Sequence, residues 1–437
     1  MPSAQVDETH VDVAWADGLR LGKRSFLDGW NIVAGRLVVA GGGQAAFALV
    51  AKLRALKDER PVTIVAAEAS LPYQRPPLSK KYLLREMDLD RLLYRPENWY
   101  GEHNVDVRLS TTVTAIDRAA RTVTLSDGSK LDYGVVALAT GSSPRKLPAG
   151  VGGDLDGVFV VREFTDADRL ADELKPGRHA LIIGGGYIGL EAAAVARSSG
   201  LDVTVIEMAD RILQRVASAA TSGLVREIHQ ARGVNIREGT GLVRLIGTDG
   251  HVTAAELTDG STIPVDLVIV GIGVTANDAL AHDAGLEVAN GIVVDQFGRT
   301  ADPDIYAMGD CAVLPWKGMR IRLESVQNAV DQAEAVAALL AGGDAPYDPK
   351  PWFWSDQYDV KLQIAGFGLG HDETIVRKGQ REGSISVWYF MQGKLIAVDA
   401  LNDAKAYVTG KKLLEQGLTP DRAILENPEA DLKTLLP

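Results

Sequence analysis

At 437 residues the chain is longer than a single hydrophobic core ordinarily serves, so two or three domains are expected. A formal charge of −12 argues against nucleic acid or an anionic membrane as partner, and the apolar run LVIVGIGVTA at 267–276 is too short to cross a bilayer. Cys311 is the one cysteine, which excludes a disulfide, an internal dithiol couple or a four-thiolate cluster within one chain and fits a cytoplasmic setting.

Residues 1–34 mix Asp7, Glu8, Asp12 and Asp17 with Arg20, Lys23 and Arg24 and lack the pattern of a secretory signal. A mobile extension is expected there, with an edge strand or interface segment as the alternative. From Arg36, RLVVAGGGQAAFALVAKLRAL reads as strand, glycine turn and helix, and VTIVAAE at 62–68 as a second strand. Gly41, Gly43 and Ala46 fit the G-x-G-x-x-G/A dinucleotide fingerprint, with Glu68 about 20 residues on. The first glycine permits a tight turn, the second lets backbone approach a pyrophosphate, and the third small residue lets helix and strand close up. The helix N-terminus offers its unpaired N–H groups to the phosphates, and Glu68 can accept from a ribose hydroxyl.

Next comes LPYQRPPLSK at 71–80. After Pro76 and Pro77, Ser79 reads as a helix N-cap with Lys80 in the first turn, where the dipole disfavours a cation and an anionic partner is expected. ALIIGGGYIGLEAAAVARSSG then repeats the motif with Gly184, Gly186 and Gly189, and LDVTVIE ends in Glu207. Two complete strand–turn–helix–strand units with terminal acids predict two Rossmann-type domains holding two dinucleotides. A carboxylate at the second ribose repels a 2′-phosphate, so NADH is favoured over NADPH, although Arg211 and Arg215 stand nearby. Glu191 falls near the start of the second motif helix, where an acid is favoured in any case. After IYAM, Asp310 is placed at a strand end and Cys311 reads as a small packing residue. PWFWSDQY at 351–358 crowds Trp352, Phe353, Trp354 and Tyr358 together. The seven histidines show no metal-ligand spacing, so no metal site is expected.

The two glycine motifs, LPYQRPPLSK, LATG at 138–141, DPDIYAMGDCA at 302–312, RLESVQNAVDQA at 322–333 and PWFWSDQY form an ordered set. That set resembles the FAD-dependent ferredoxin reductases of bacterial oxygenase systems. The resemblance implies an α/β fold of two Rossmann-type dinucleotide-binding domains, of glutathione-reductase-like architecture, plus a C-terminal α+β domain. It divides the chain into an FAD domain in two parts (35–148 and 274–345), an inserted NAD domain (149–273) and a C-terminal domain (346–437). It also implies that Gly41, Gly43 and Ala45 face the pyrophosphate of non-covalent FAD and Glu68 its adenosine ribose. Arg75, Lys80, Val113, Thr140, Arg162, Asp310 and Val326 would contact the rest of that cofactor. Tyr187, Ile188, Glu191, Glu207, Arg215 and Gly273 would line the nicotinamide nucleotide site beside Gly184, Gly186 and Gly189. Lys80 and Glu191 would pair beside the reacting ring, and Trp354 would cover it, making these three the catalytic candidates.

Hydride transfer from NADH to the flavin would follow. Flavin disulfide reductases carry a cysteine pair soon after the first unit; here that region reads RPPLSKKYLL, so thiol relay is excluded. Electrons would leave singly for a separate two-iron ferredoxin feeding an oxygenase, expected to be a haem-thiolate cytochrome monooxygenase. Arg320, Arg322, Lys405, Lys411 and Lys412 are the candidate basic docking residues. An NADH oxidase or quinone reductase, and an NADH-responsive flavoprotein sensor, remain alternatives. Against the family pattern, Ala67 precedes Glu68 where a second acid is usual, Lys81 replaces a small residue, and ALNDAKAYVTGKK departs from the usual C-terminal sequence.

Overall fold

The computed structural model describes residues 35–436; the extension expected over residues 1–34 lies outside them. Two five-stranded parallel sheets and one five-stranded antiparallel sheet organise the rest. In the first, Leu37–Ala40 is central, flanked by Val62–Val65 and Val135–Leu138, with Val105–Arg108 and Ile305–Ala307 at the edges. Its central strands are near-continuous apolar runs because helices and an added layer cover both faces. On one side lie the helices Gln44–Ala55 and Val326–Leu340. On the other, the three-stranded antiparallel sheet Val113–Asp117, Thr122–Leu125 and Lys130–Asp132 closes a second core.

The second sheet repeats the plan. His179–Ile183 lies between Asp202–Glu207 and Leu267–Val270, with Asn235–Glu238 and Val158–Phe159 outside. Its glycine-motif helix is Tyr187–Ser198 and its next helix Ala219–Gln230. The chain enters and leaves this unit through Ser142–Pro144 and Val274–Ala276, which pair as a two-stranded antiparallel ribbon.

The C-terminal sheet runs Trp352–Gln357, Val360–Gly366, Lys394–Leu401, Ile385–Met391, Glu373–Lys378 in spatial order and packs on the helix Ala404–Glu415. Its first strand and the helix Ala219–Gln230 bring it against the second Rossmann unit, with Val225 packed beside Leu362 and Leu401. Thr221 donates to the fully buried Asp399 at 2.7 Å, and Tyr389 also donates to that carboxylate. Burial, opposed by these two donors, holds Asp399 up at about 6. An acid raised in the folded state stabilises fully below its unfolded value, and that contribution is lost as pH rises through about 6. Against Asp399→Asn, the wild type is therefore expected to lose on the order of 3 kcal/mol between pH 4 and 7. Parallel thermal melts of the two proteins check this; parallel pH curves would refute it.

Candidate active site

Both glycine turns are shaped for close approach rather than flexibility. Gly41 has φ +122°, and a Cβ there would sit 2.2 Å from the Ala139 carbonyl oxygen; Gly184, at φ +105°, would meet the Gly271 carbonyl oxygen at 2.4 Å. Gly43 and Gly186 differ: each is the N-cap of its helix, and a Cβ there would meet no atom within 4 Å. Neither helix has a side-chain cap or an acid in its first turn, whereas Ser218 and Ser325 cap theirs. Two sets of free N–H groups with no opposing charge are what a pyrophosphate requires, so the residues present fit a dinucleotide at each sheet.

This separates the effects of two substitutions. Gly43→Ala is expected to leave the apoprotein melting within about 1 kcal/mol of wild type, because φ −90° suits alanine, while FAD retention on gel filtration falls. Gly41→Ala should damage both stability and retention. Equal stability losses in the two variants would refute the distinction.

Ala45 is buried in the first motif helix, with Ala46 fully enclosed behind it. Glu68 is met by Arg75 and by the Tyr73 hydroxyl, and Arg75 also donates to the Arg162 carbonyl oxygen at 2.8 Å. Arg162 reaches Asp310 at 3.5 Å, and Ser142 donates to the same Asp310 oxygen at 2.8 Å. Burial and the neighbouring Arg75 lower the Arg162 value. Thr140 donates to Asn277 at 2.6 Å, tying the LATG turn to the returning chain. Val113 packs against the second core of that unit, and Val326 opens its helix just after the Ser325 cap. Cys311 is completely buried with its thiol pushed up by desolvation.

In the second unit, Glu207 accepts from the backbone N–H of Gly185 and of Ala209, both at 2.8 Å, and so anchors its glycine turn. Arg211 is committed to Ser222 and to the Ser218 carbonyl. Arg215 is exposed, with its guanidinium beside Gly273. Ile188 is exposed on the outer face of the motif helix. Tyr187 packs on Phe353 at 5.0 Å, with its hydroxyl buried and without a hydrogen-bond partner among the described residues.

The two units meet at a charged pair. Lys80 Nζ lies 2.7 Å from Glu191 Oε2, and Ser79 Oγ donates to the same oxygen at 2.7 Å. Ser355 Oγ donates to Oε1 at 2.7 Å, so the carboxylate is held by all three domains and is only 6% exposed. Lys80 does not stand where its helix pattern suggested, whereas Glu191 falls near the start of its helix as expected. Pro76–Ser79 is a short 3-10 turn started by its prolines, and Lys80 closes it at the end where the dipole favours a cation. Glu191 lies in the second turn of its helix, buried, so the dipole at the N-terminus does not account for it. Ser79, Ser355 and Tyr73 were not singled out as site residues.

Strand alternation sorts the aromatic cluster. Phe353, Ser355 and Gln357 face the second Rossmann unit, while Trp352 and Trp354 lie on the opposite face with rings 5.6 Å apart. Trp352 continues to Tyr407 and to the Lys411 ammonium, 5.3 Å from its ring.

The comparisons with known proteins decide the family. A model of the pyridine nucleotide-disulphide oxidoreductases matches residues 35–333, and a reductase C-terminal model matches 352–436. The chain belongs to this oxidoreductase family. Within it, the protein is 43% identical to a ferredoxin–NAD(P)+ reductase from a Sphingomonas species, over 90% of this chain and 97% of that protein. It is 41% identical to rhodocoxin reductase of Rhodococcus erythropolis, over 91% and 93% respectively. Its fold superposes with TM-score 0.89 and 37% identity on a chain of the covalent putidaredoxin reductase–putidaredoxin complex, covering 92% of this chain and 98% of that one. This oxidoreductase therefore uses FAD and NAD(H), and it departs from the thiol chemistry in the family's description because its one cysteine is buried packing.

Proposed function

We propose that the protein takes a hydride from NADH at the Lys80–Glu191 pair and passes electrons singly to a separate two-iron ferredoxin that feeds an oxygenase, a haem-thiolate monooxygenase being the reading carried from the sequence. What supports this reading is the part-buried charged pair, held also by Ser79 and Ser355, that joins both Rossmann units and the C-terminal sheet in a chain whose one cysteine is buried. FAD supplies the two-electron to one-electron step when bound. Gly41, Gly43, Ala45 and the helix N-terminus would hold its pyrophosphate. Arg75 and Arg162, ordered by Glu68 and Asp310, would meet its other polar groups together with Thr140. Val113 and Val326 would add apolar walls. Lys80, fixed by Glu191, would present a cation to the reacting ring, and Trp354 would cover the ring and exclude water. Gly184, Gly186, Tyr187, Ile188, Gly189, Glu207, Arg215 and Gly273 would frame the nicotinamide nucleotide.

Of the basic docking candidates, Arg322 does not serve. Its side chain is 10% exposed, paired with Glu324 at 2.6 Å and donating to the Asp310 carbonyl at 3.1 Å. Arg320 is exposed and Lys405 half-buried, and they are paired with Glu287 and Asp431. Lys411 and Lys412, on the helix behind the tryptophan pair, are the residues we assign to the acidic partner. Lys411→Glu/Lys412→Glu is expected to raise the ferredoxin KM about tenfold and leave flavin bleaching by NADH unchanged. An unchanged KM would place docking elsewhere.

The deciding experiment is NADH-driven cytochrome c reduction with and without an added two-iron ferredoxin of the oxygenase type. Strong stimulation is expected. Rapid flavin bleaching without stimulation by any such ferredoxin would overturn the partner assignment in favour of a small-molecule acceptor.

A further inference from the structure

His229 is fully buried in the last turn of the helix Ala219–Gln230, outside the set of residues assigned to either nucleotide. Its Nε2 lies 2.8 Å from Gln357 Oε1. Gln357 Nε2 donates to Ser355 Oγ at 3.1 Å, and Ser355 Oγ donates to Glu191 Oε1 at 2.7 Å. On the other side, His229 Nδ1 faces the Tyr358 hydroxyl at 3.4 Å.

The chain can be satisfied in one direction only. The Glu191 carboxylate accepts, so Ser355 must donate its single hydrogen there. Ser355 then has only lone pairs left for Gln357, which fixes the amide with its N–H₂ towards the serine and its carbonyl towards His229. His229 must therefore carry its hydrogen on Nε2 and accept on Nδ1. The opposite amide orientation would set two oxygens against each other with no hydrogen between them. Burial, aided by the positive charge of Arg232, keeps His229 below its ordinary value, against the Gln357 hydrogen bond. Arg232 stands over the Tyr358 ring at 4.6 Å.

We propose that His229 is a positioning residue for the Lys80–Glu191 pair, acting through Gln357 and Ser355 as a one-way chain of donors that fixes the Glu191 carboxylate and, through it, the Lys80 ammonium. This rests on the reading that the pair faces the flavin. The effect is geometric: without Gln357 held by His229, Ser355 is free to rotate off Glu191, and a displaced cation is mismatched to the reacting atoms. Each link also polarises the next, so the chain is stronger than its separate bonds.

The test uses stopped-flow bleaching of the holoenzyme's flavin by NADH. His229→Phe keeps a ring against Tyr358 but removes the donor. It is expected to slow the limiting rate constant about tenfold, the scale of outer-sphere partners, with the NADH half-saturation concentration within about twofold of wild type. Gln357→Leu should do the same, and it carries the test if His229→Phe does not retain FAD. His229→Gln restores an N–H for the Gln357 carbonyl and should recover the rate to within about threefold of wild type, a rescue that a purely structural role would not produce. Glu191→Gln is the control. If it is slow while His229→Phe and Gln357→Leu run at the wild-type rate, the donor chain is refuted and the site reading stands. If Glu191→Gln is itself unimpaired, the pair does not serve the flavin and both fall.

Discussion

Lys80→Met is expected to cost about 3–5 kcal/mol of stability, the usual result of removing one member of a buried ion pair. Glu191 would be left almost wholly enclosed, held by the hydroxyls of Ser79 and Ser355 and by no cation among its present partners. Two neutral donors do not offset the desolvation of a carboxylate. Lys80→Met/Glu191→Gln should recover most of the loss, because an amide in that position has no charge to compensate: its oxygen can accept from one serine while its N–H₂ donates to the hydroxyl of the other. Because three domains meet at the pair, the denaturant midpoint followed by flavin fluorescence is the suitable readout. A loss below about 1 kcal/mol in Lys80→Met would mean that water reaches Glu191 and that the pair is not the closed junction described.

The second large effect lies in the C-terminal domain. Arg377 is buried, and its guanidinium donates to the carbonyl oxygens of Ile424, Leu425, Asn427, Pro428 and Ala430. One planar cation thereby ties down a segment whose own helix, Arg422–Glu426, is too short to persist alone. Arg377→Met preserves bulk and strands all five carbonyls. A loss of at least about 3 kcal/mol is expected from unpaired buried acceptors and the bonds to a charged group. Leu425 and Leu432 would lose their packing with the segment, so limited proteolysis should cut between 420 and 436 in the variant and spare the wild type. A protease-resistant variant would show that apolar packing suffices.

The glycine turns were legible because their requirements are local. Gly41 and Gly184 need positive φ beside a carbonyl, and Gly43 and Gly186 need open space at a helix start, all within one strand–turn–helix. The Lys80–Glu191 pairing is not local: its partners are separated by 111 residues, and only the family resemblance joined them. Reading Ser79 as a helix N-cap misplaced Lys80, because the prolines before it open a 3-10 turn that Ser79 ends, and local pattern does not reveal where that turn stops. Arg322 was chosen for its charge, yet backbone geometry buries it against Asp310 and Glu324. The alternation of Ser355 and Gln357 in SDQ was available as a strand signal, but without the facing helix it named no partner. The buried His229 was invisible for the same reason.

The helix Ala219–Gln230 is fastened to the C-terminal sheet at both ends, by Thr221 on Asp399 and by His229 on Gln357. A displacement of this helix therefore either breaks both ties or carries the C-terminal sheet along.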